Sequence, residues 1–231
     1  MSKRGRISHA GEVAGFFRRD CKPLRDSLQL EMVAAQYQLR MDGVRSPEGI
    51  PVGEAVCAGV VAELEDHGDA LSHAILRALA HLGTGDTVTR SADAAARLGE
   101  RGVGLPPKFA DVAQTRAGGA WRDTEGGHEG EYCLFFDFVY PQGAGHALAL
   151  FVEPRDGGTI KHLGLIQPMS EIKYPGVMEE LEIPAAGALL TELLDRSYPL
   201  PLQSDDDFRV LIAVARARTC VQQVGATVNS P

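Results

Sequence analysis

Residues 131–166 read EYCLFFDFVYPQGAGHALALFVEPRDGGTIKHLGLI and predict three β-strands separated by two glycine-containing turns. The strands are expected at 132–140, 146–152 and 159–166, with a shorter one around Trp121. Apolar residues occupy both faces of the middle strand, a pattern typical of a strand covered on both sides. Because the connections are short, the strands are expected to pair in antiparallel fashion.

Helical patterns surround this stretch on both sides. In residues 24–41, apolar side chains recur at spacings of three and four, as in an amphipathic helix. Asp69 and Ser91 stand where N-cap residues are expected. The further predicted helices are 53–66, 71–82, 91–101, 184–197 and 204–222. We therefore predict an α+β fold with a helical N-terminal half and an antiparallel three- to four-stranded sheet at about 120–166, packed by the C-terminal helices.

The same patterns predict the organisation of the chain. A basic N-terminal arm is expected at 1–25, a helical region at 26–116, and the sheet with its C-terminal helices at 117–231. The last two regions are compatible with one compact domain, because 231 residues can bury a sizeable core without disulfides or metals.

The charge of the chain is unevenly distributed. The net charge is −8, yet residues 1–25 hold seven basic and two acidic residues, which leaves −13 for the remainder. An acidic body repels nucleic acid and anionic membranes, so contact with nucleic acid is expected only through the arm. The candidate residues are Lys3, Arg4, Arg6, Arg18 and Arg19. The alternative is a solvated tail, or an arm that pairs with acidic groups of its own body.

Cysteine spacing and hydropathy indicate the compartment. Cys21, Cys57, Cys133 and Cys220 form no C-x-x-C pair, which argues against a zinc ribbon and favours reduced, mostly buried thiols. The chain has no run of 18 apolar residues, and its first 21 residues lack the apolar segment of a secretory signal. A cytoplasmic protein without membrane contact, metal or cofactor is expected.

Three polar residues embedded in the apolar strands are the candidate catalytic groups: Asp137, His146 and His162. A buried carboxylate near histidines suits acid–base chemistry, whereas a solvated strand face is the alternative. Turns centred on Gly143 and near Asp156 pair Asp137 with Ala149 and His162 with Leu150. In that register the histidines share a face about 14 Å apart, and Asp137 points to the other face, so no metal site is predicted.

Known catalytic and phosphate-binding motifs are missing from the sequence. It has no G-x-S-x-G elbow, no H-E-x-x-H pair and no P-loop. Asp66, His67, Asp69 and His73 cluster near a helix junction, with Arg77 one turn further on. This cluster permits acid–base chemistry, but helix capping is the favoured explanation of it.

The order of segments also supports a resemblance. The segments ALSHAILRALAHLG, ADAAARLGERG, LPPKFADV, AWRDTEGGHEGEYCLFFDFVY and HALALFVEPRDGGTIKHLGL follow one another over residues 69–166. The chain resembles a group of uncharacterised actinobacterial α+β proteins with a helical segment before a HALxxxV…GG…K meander. Glu153 stands where that group has Asp, and His162 replaces its acidic residue. The resemblance implies the fold and a bacterial setting, and no catalytic residue.

Three functions remain open from the sequence. The favoured one is a non-enzymatic bacterial interaction or regulatory protein that contacts another protein or a second copy of itself. The first alternative is a hydrolase-type enzyme using Asp137, His146 or His162. The second is an accessory protein that contacts nucleic acid through the N-terminal arm.

Overall fold

The protein is described by a computed structural model. It describes residues 9–46, 48–50, 52–123, 125, 130–142, 145–154, 158–196 and 211–216. The chain forms two compact units, residues 1–113 and 114–231, called here the helical unit and the sheet unit.

Five α-helices build the described part of the helical unit. They are α1 (His9–Cys21), α2 (Ser27–Asp42), α3 (Gly53–His67), α4 (Ala70–Leu82) and α5 (Asp86–Glu100), and a 3-10 turn (Pro107–Phe109) follows them. Asp69 caps α4 as predicted, accepting a hydrogen bond from the Ser72 backbone N–H. The predicted start of α5 at Ser91 is wrong, because the helix begins five residues earlier. Ser91 belongs to its buried face, so its hydroxyl does not cap the helix.

Helix α1 lies within residues 1–25, the segment that was expected to be a basic N-terminal arm. Ala14, Phe17 and Cys21 of α1 are fully buried, and the Phe17 ring stacks on Tyr37 with centroids 4.2 Å apart. A Cβ added at Gly59 of α3 would lie 2.7 Å from the Ala10 Cβ, so glycine permits this close helix contact. Helix α1 therefore packs into the helical unit through one of its sides.

An antiparallel five-stranded sheet forms the centre of the sheet unit. Its strands are β1 (Arg116–Asp123), β2 (Tyr132–Val139), β3 (Gly145–Glu153), β4 (Thr159–Ile166) and β5 (Met178–Glu180), in the order β4-β3-β2-β1-β5. The α+β class is confirmed, whereas the expected three or four strands were too few. The fifth strand has only three residues and pairs with β1, so it is too short for a periodic signal.

The two faces of the sheet are covered differently. Leu134, Phe136 and Phe138 of β2 point to a large core that includes helix α6 (Ile183–Arg196) and residues of the helical segment 211–216. This confirms packing by C-terminal helices. The remainder of the predicted helix 204–222, with Cys220, lies outside the described residues. A smaller apolar cluster on the opposite face contains Cys133, Phe135 and Ala149, covered partly by the segment 167–178.

The described helices are shorter than a helix that spans a bilayer. The longest, α2, has 16 residues, against about 20 apolar residues for a membrane-spanning helix. Within the described ranges, no helix combines the length and apolar character needed to cross a membrane.

Candidate functional site

The observed strand register places the three candidate catalytic residues on two faces of the sheet. Asp137 lies opposite Ala147, and His162 lies opposite Phe151. The predicted partners were wrong by two residues for Asp137 and by one for His162. The first turn is centred on Gln142 rather than Gly143, and β4 carries an irregularity next to Phe151. Asp137 and His162 consequently share a face, with His146 on the other.

Asp137 is buried and bound to backbone. Only 6% of the residue is exposed, and its carboxylate oxygens accept the Met169 N–H at 3.0 and 3.2 Å. Burial raises the pKa of this carboxyl group, and the Met169 hydrogen bond opposes that shift. The contact attaches the 3-10 turn Met169–Glu171 to the second face of the sheet.

The two histidines lie in unlike surroundings. His146 is buried, with its ring 5.6 Å from the Phe138 ring and 5.8 Å from the Tyr140 ring, centroid to centroid. His162 is exposed on the edge strand β4, near the Phe151 ring. Asp137 and His162 share a face but are four positions apart along the strands, about 13 Å. The structure does not bring the three side chains together.

Side chains that can ligate a metal ion are a further kind of candidate group. In the part of the chain that the structure describes, no group of three or more His, Cys, Asp or Glu residues could hold a metal ion.

The described candidates for nucleic-acid contact also differ from each other. Arg18 donates hydrogen bonds to both carboxylate oxygens of Asp69, at 2.9 and 2.6 Å, and to the Ser72 hydroxyl. These bonds hold the pKa of Asp69 well below its usual range. Arg19 is exposed, with its guanidinium 4.7 Å from the Phe16 ring centroid. Lys3, Arg4 and Arg6 lie outside the described residues.

A groove in the helical unit was missed by sequence reasoning. The groove, called here the apolar groove, has a volume of about 360 Å³. Its apolar lining comes from three helices and the residues after them: Val13, Phe16, Tyr37, Met41, Val44 and Val56. Its polar and charged lining residues are His9, Arg19, Asp20 and Arg40. The Tyr37 hydroxyl donates to Asp20 Oδ2 at 2.7 Å, which orients that carboxylate.

A second groove lies between α4 and α5 and has a volume of about 470 Å³. It is called here the alanine groove, because Ala92, Ala95 and Ala96 line it from α5. His73, Arg77 and His81 line it from α4. Periodicity showed both helices, but the space between them depends on how they pack.

The sheet unit contains a buried polar cluster that the sequence did not reveal. Tyr174 donates its hydroxyl proton to Asp123 Oδ2 at 2.5 Å, and Asp123 Oδ1 accepts the Glu125 N–H at 2.9 Å. Burial and the nearby Asp123 raise the pKa of Cys133, so this thiol stays protonated at neutral pH. The cluster fastens the segment 167–178 to the sheet, and its two halves are 51 residues apart in sequence.

The chain was compared with protein-family models, curated proteins and solved structures, and no match was found in any of the three. The two grooves and the groups that line them are therefore the structural features that bear on function.

Proposed function

We propose that this is a non-enzymatic bacterial protein of the cytoplasm that regulates a partner protein by binding it in the apolar groove. The observation that carries the proposal is Phe16, which is 48% exposed at that groove. A large aromatic side chain beside an apolar groove is a typical anchor of a protein interface.

The packing of α1 supports this role. One side of the helix, with Ala14, Phe17 and Cys21, is buried in the helical unit. Val13 and Phe16 lie on another side of the same helix and line the groove. Folding of the unit needs only the first set, so the second set is available to a partner.

Charge indicates the chemistry of the partner. Arg19 and Arg40 stand at the groove with one carboxylate, Asp20, which already accepts the Tyr37 hydroxyl and lies 3.6 Å from Arg19 Nε. The polar lining is therefore basic, in a chain whose net charge is −8. A partner helix with apolar anchors flanked by Asp or Glu would match both the apolar and the polar lining.

Two further observations favour a binding function over catalysis. Asp137, His146 and His162 are separated in the sheet, and burial raises the pKa values of the Cys21, Cys57 and Cys133 thiols. Protonated buried thiols are poor nucleophiles. These three cysteines, the ones with described positions, are free, which fits a reducing cytoplasm.

Site-specific photo-crosslinking tests the proposal. The reactive analogue p-benzoylphenylalanine is placed at position 16 and, as the matched control, at position 151, because Phe151 is 51% exposed in the sheet unit. In the native host, we expect one partner to be linked from position 16 and not from position 151. The linked partner peptide should be a helix with acidic residues beside apolar ones.

Reconstitution with the purified partner then decides the case. Phe16→Ala should weaken binding about 10-fold or more, as for an interface anchor, and Arg40→Glu should weaken it through repulsion. Phe151→Ala should leave the affinity unchanged. Equal affinities for Phe16→Ala and the unchanged protein would refute the proposal. A crosslink from position 16 to a second copy of the chain would show that the groove binds this protein itself and not a different partner.

A further inference from the structure

We propose that the alanine groove is a binding site for a small organic anion, distinct from the apolar groove. Arg77 would bind the carboxylate or phosphate group of the ligand, and the short apolar body would lie on the alanines of α5. The proposal rests on the geometry of α4 and α5 and not on the partner proposed above.

The basic side chains of the groove form a line along α4. His73, Arg77 and His81 are spaced four residues apart, which places them on one face of the helix at steps of about 6 Å. All three line the same groove. Arg77, in the middle, is therefore flanked by an imidazole one turn away on each side.

Arg77 differs from Arg18 and Arg97 of the helical unit in having no carboxylate partner among the described residues. Arg18 is bound to Asp69, and Arg97 donates to both oxygens of Glu65 at 2.7 and 2.8 Å. Arg77 is half-buried, yet among the residues with described positions it has neither an ion pair nor a hydrogen bond. A guanidinium that is partly removed from water without a partner is costly, and an oxyanion in the groove would offset that cost.

His73 supplies a second, oriented polar group. The residue is 8% exposed, and its Nδ1 lies 2.6 Å from the Val103 carbonyl oxygen. A carbonyl only accepts, so Nδ1 carries the proton and donates it. This contact fixes the ring and leaves Nε2 without a hydrogen-bond partner within the described ranges. Nε2 can accept a hydrogen bond from a hydroxyl group of the ligand.

The opposite wall is small and apolar. Ala92, Ala95, Ala96 and Gly99 keep the groove open along α5. Gly99 lies beside the imidazole, because a Cβ added there would be 3.9 Å from the His73 Cε1. The volume of about 470 Å³ falls within the usual range for small-molecule sites, about 300–1,000 Å³. A few polar groups facing an apolar wall is the usual composition of such a site.

Calorimetric titration with three six-carbon probes tests the ligand class. Hexanoate and hexyl phosphate carry the proposed anionic groups, and hexylammonium has the same body with the opposite charge. We expect both anions to bind with a stoichiometry of one and hexylammonium not to bind. The stronger of the two anions distinguishes a carboxylate from a phosphate ligand, and inorganic phosphate should bind more weakly than hexyl phosphate because it lacks the apolar body.

Three variants locate the binding. Arg77→Gln should lower the affinity about 10-fold or more, the usual value for a lost charge-assisted hydrogen bond. Ala96→Phe fills the groove from an exposed position and should abolish binding without disturbing the core. Arg90→Gln is the matched control, because Arg90 lies on α5 and forms an ion pair with the exposed Asp86.

The outcomes separate this site from the proposed function. Amide chemical-shift changes in nuclear magnetic resonance spectra should cluster around Arg77 and Ala96, and Phe16→Ala should bind the anions normally. Unchanged affinity in both Arg77→Gln and Ala96→Phe, or shift changes confined to another region, would overturn the proposal. So would equal binding of hexylammonium and hexanoate.

Discussion

Two carboxylates of the sheet unit and two arginines of the helical unit lie in different surroundings. In the sheet unit, Asp123 and Asp137 are buried and bound to groups of the chain itself. In the helical unit, Arg40 and Arg77 line open grooves. The buried carboxylates attach the segment 167–178 to the sheet, whereas the groove residues are available to a ligand.

This difference changes how an embedded polar residue should be interpreted. Asp137 stands out in the apolar run of β2, but its carboxylate stabilises a backbone turn instead of facing a cavity. Arg77 belongs to an ordinary amphipathic pattern and yet lines open space. Function is therefore better sought where a polar group meets an unfilled volume than where it interrupts an apolar strand.

The largest effect is expected from removing the hydroxyl that fastens the second face of the sheet. Tyr174→Phe should cost about 1.5–3 kcal/mol of unfolding free energy, the usual range for a hydrogen bond to a charged group. Denaturant titration measures this loss. Tyr132→Phe is the control, because the Tyr132 hydroxyl has no hydrogen-bond partner within the described part of the chain. Equal stabilities of the two variants would show that the Asp123 contact is not structural.

A smaller effect is expected in the helical unit. Arg18→Ala should cost about 1 kcal/mol, because Asp69 is half-exposed and solvent screens the pair. Arg90→Ala, which breaks the exposed pair with Asp86, should cost less than about 0.5 kcal/mol. Both are measured by denaturant titration.

The pH dependence of the Arg18 effect has a definite sign. Asp69 has a lowered pKa in the folded state, so its contribution is present above the unfolded pKa and is lost as the pH falls through the folded value. The difference between Arg18→Ala and the unchanged protein should therefore shrink below about pH 4. A difference that stays constant from pH 7 to pH 2 would contradict the ion pair.

The smallest effect is expected at Asp137, with the opposite sign. Burial raises its pKa, so the stability gained by protonation is present below the unfolded pKa and is lost as the pH rises through the folded value. Asp137→Asn keeps an acceptor for the Met169 N–H and removes the buried charge. It should be more stable than the unchanged protein at pH 7, by less than about 1 kcal/mol.

Denaturant titrations from pH 4 to pH 8 measure this difference, which should grow as the pH rises. Asp123→Asn is the matched control and should be destabilising, because the carboxylate there accepts from Tyr174 and from the Glu125 N–H. Stabilisation by both substitutions would mean that the two carboxylates play the same role.

Elements with signals local to a short stretch of sequence were predicted, whereas features that depend on distant contacts were not. The helices at 53–66 and 71–82 and the strand Thr159–Ile166 were predicted to within a residue or two, because helix caps and apolar periodicity are local. The predicted register was wrong, since one residue more or less in a turn moves every pair. The start of α5 was missed because Ser91 resembles a cap and its burial is a tertiary property.

The amino-acid sequence alone determined the α+β class, the acidic character of the chain, and the presence of helices α2 to α6 and strands β1 to β4. Those properties depend on residue spacing and composition, which need no knowledge of distant contacts. Only the tertiary structure decided that α1 packs into the helical unit, that Asp123 meets Tyr174, and that Arg77 lines a groove whose described lining holds no carboxylate. Each of these depends on where separate elements meet, and packing between elements is set by the whole fold.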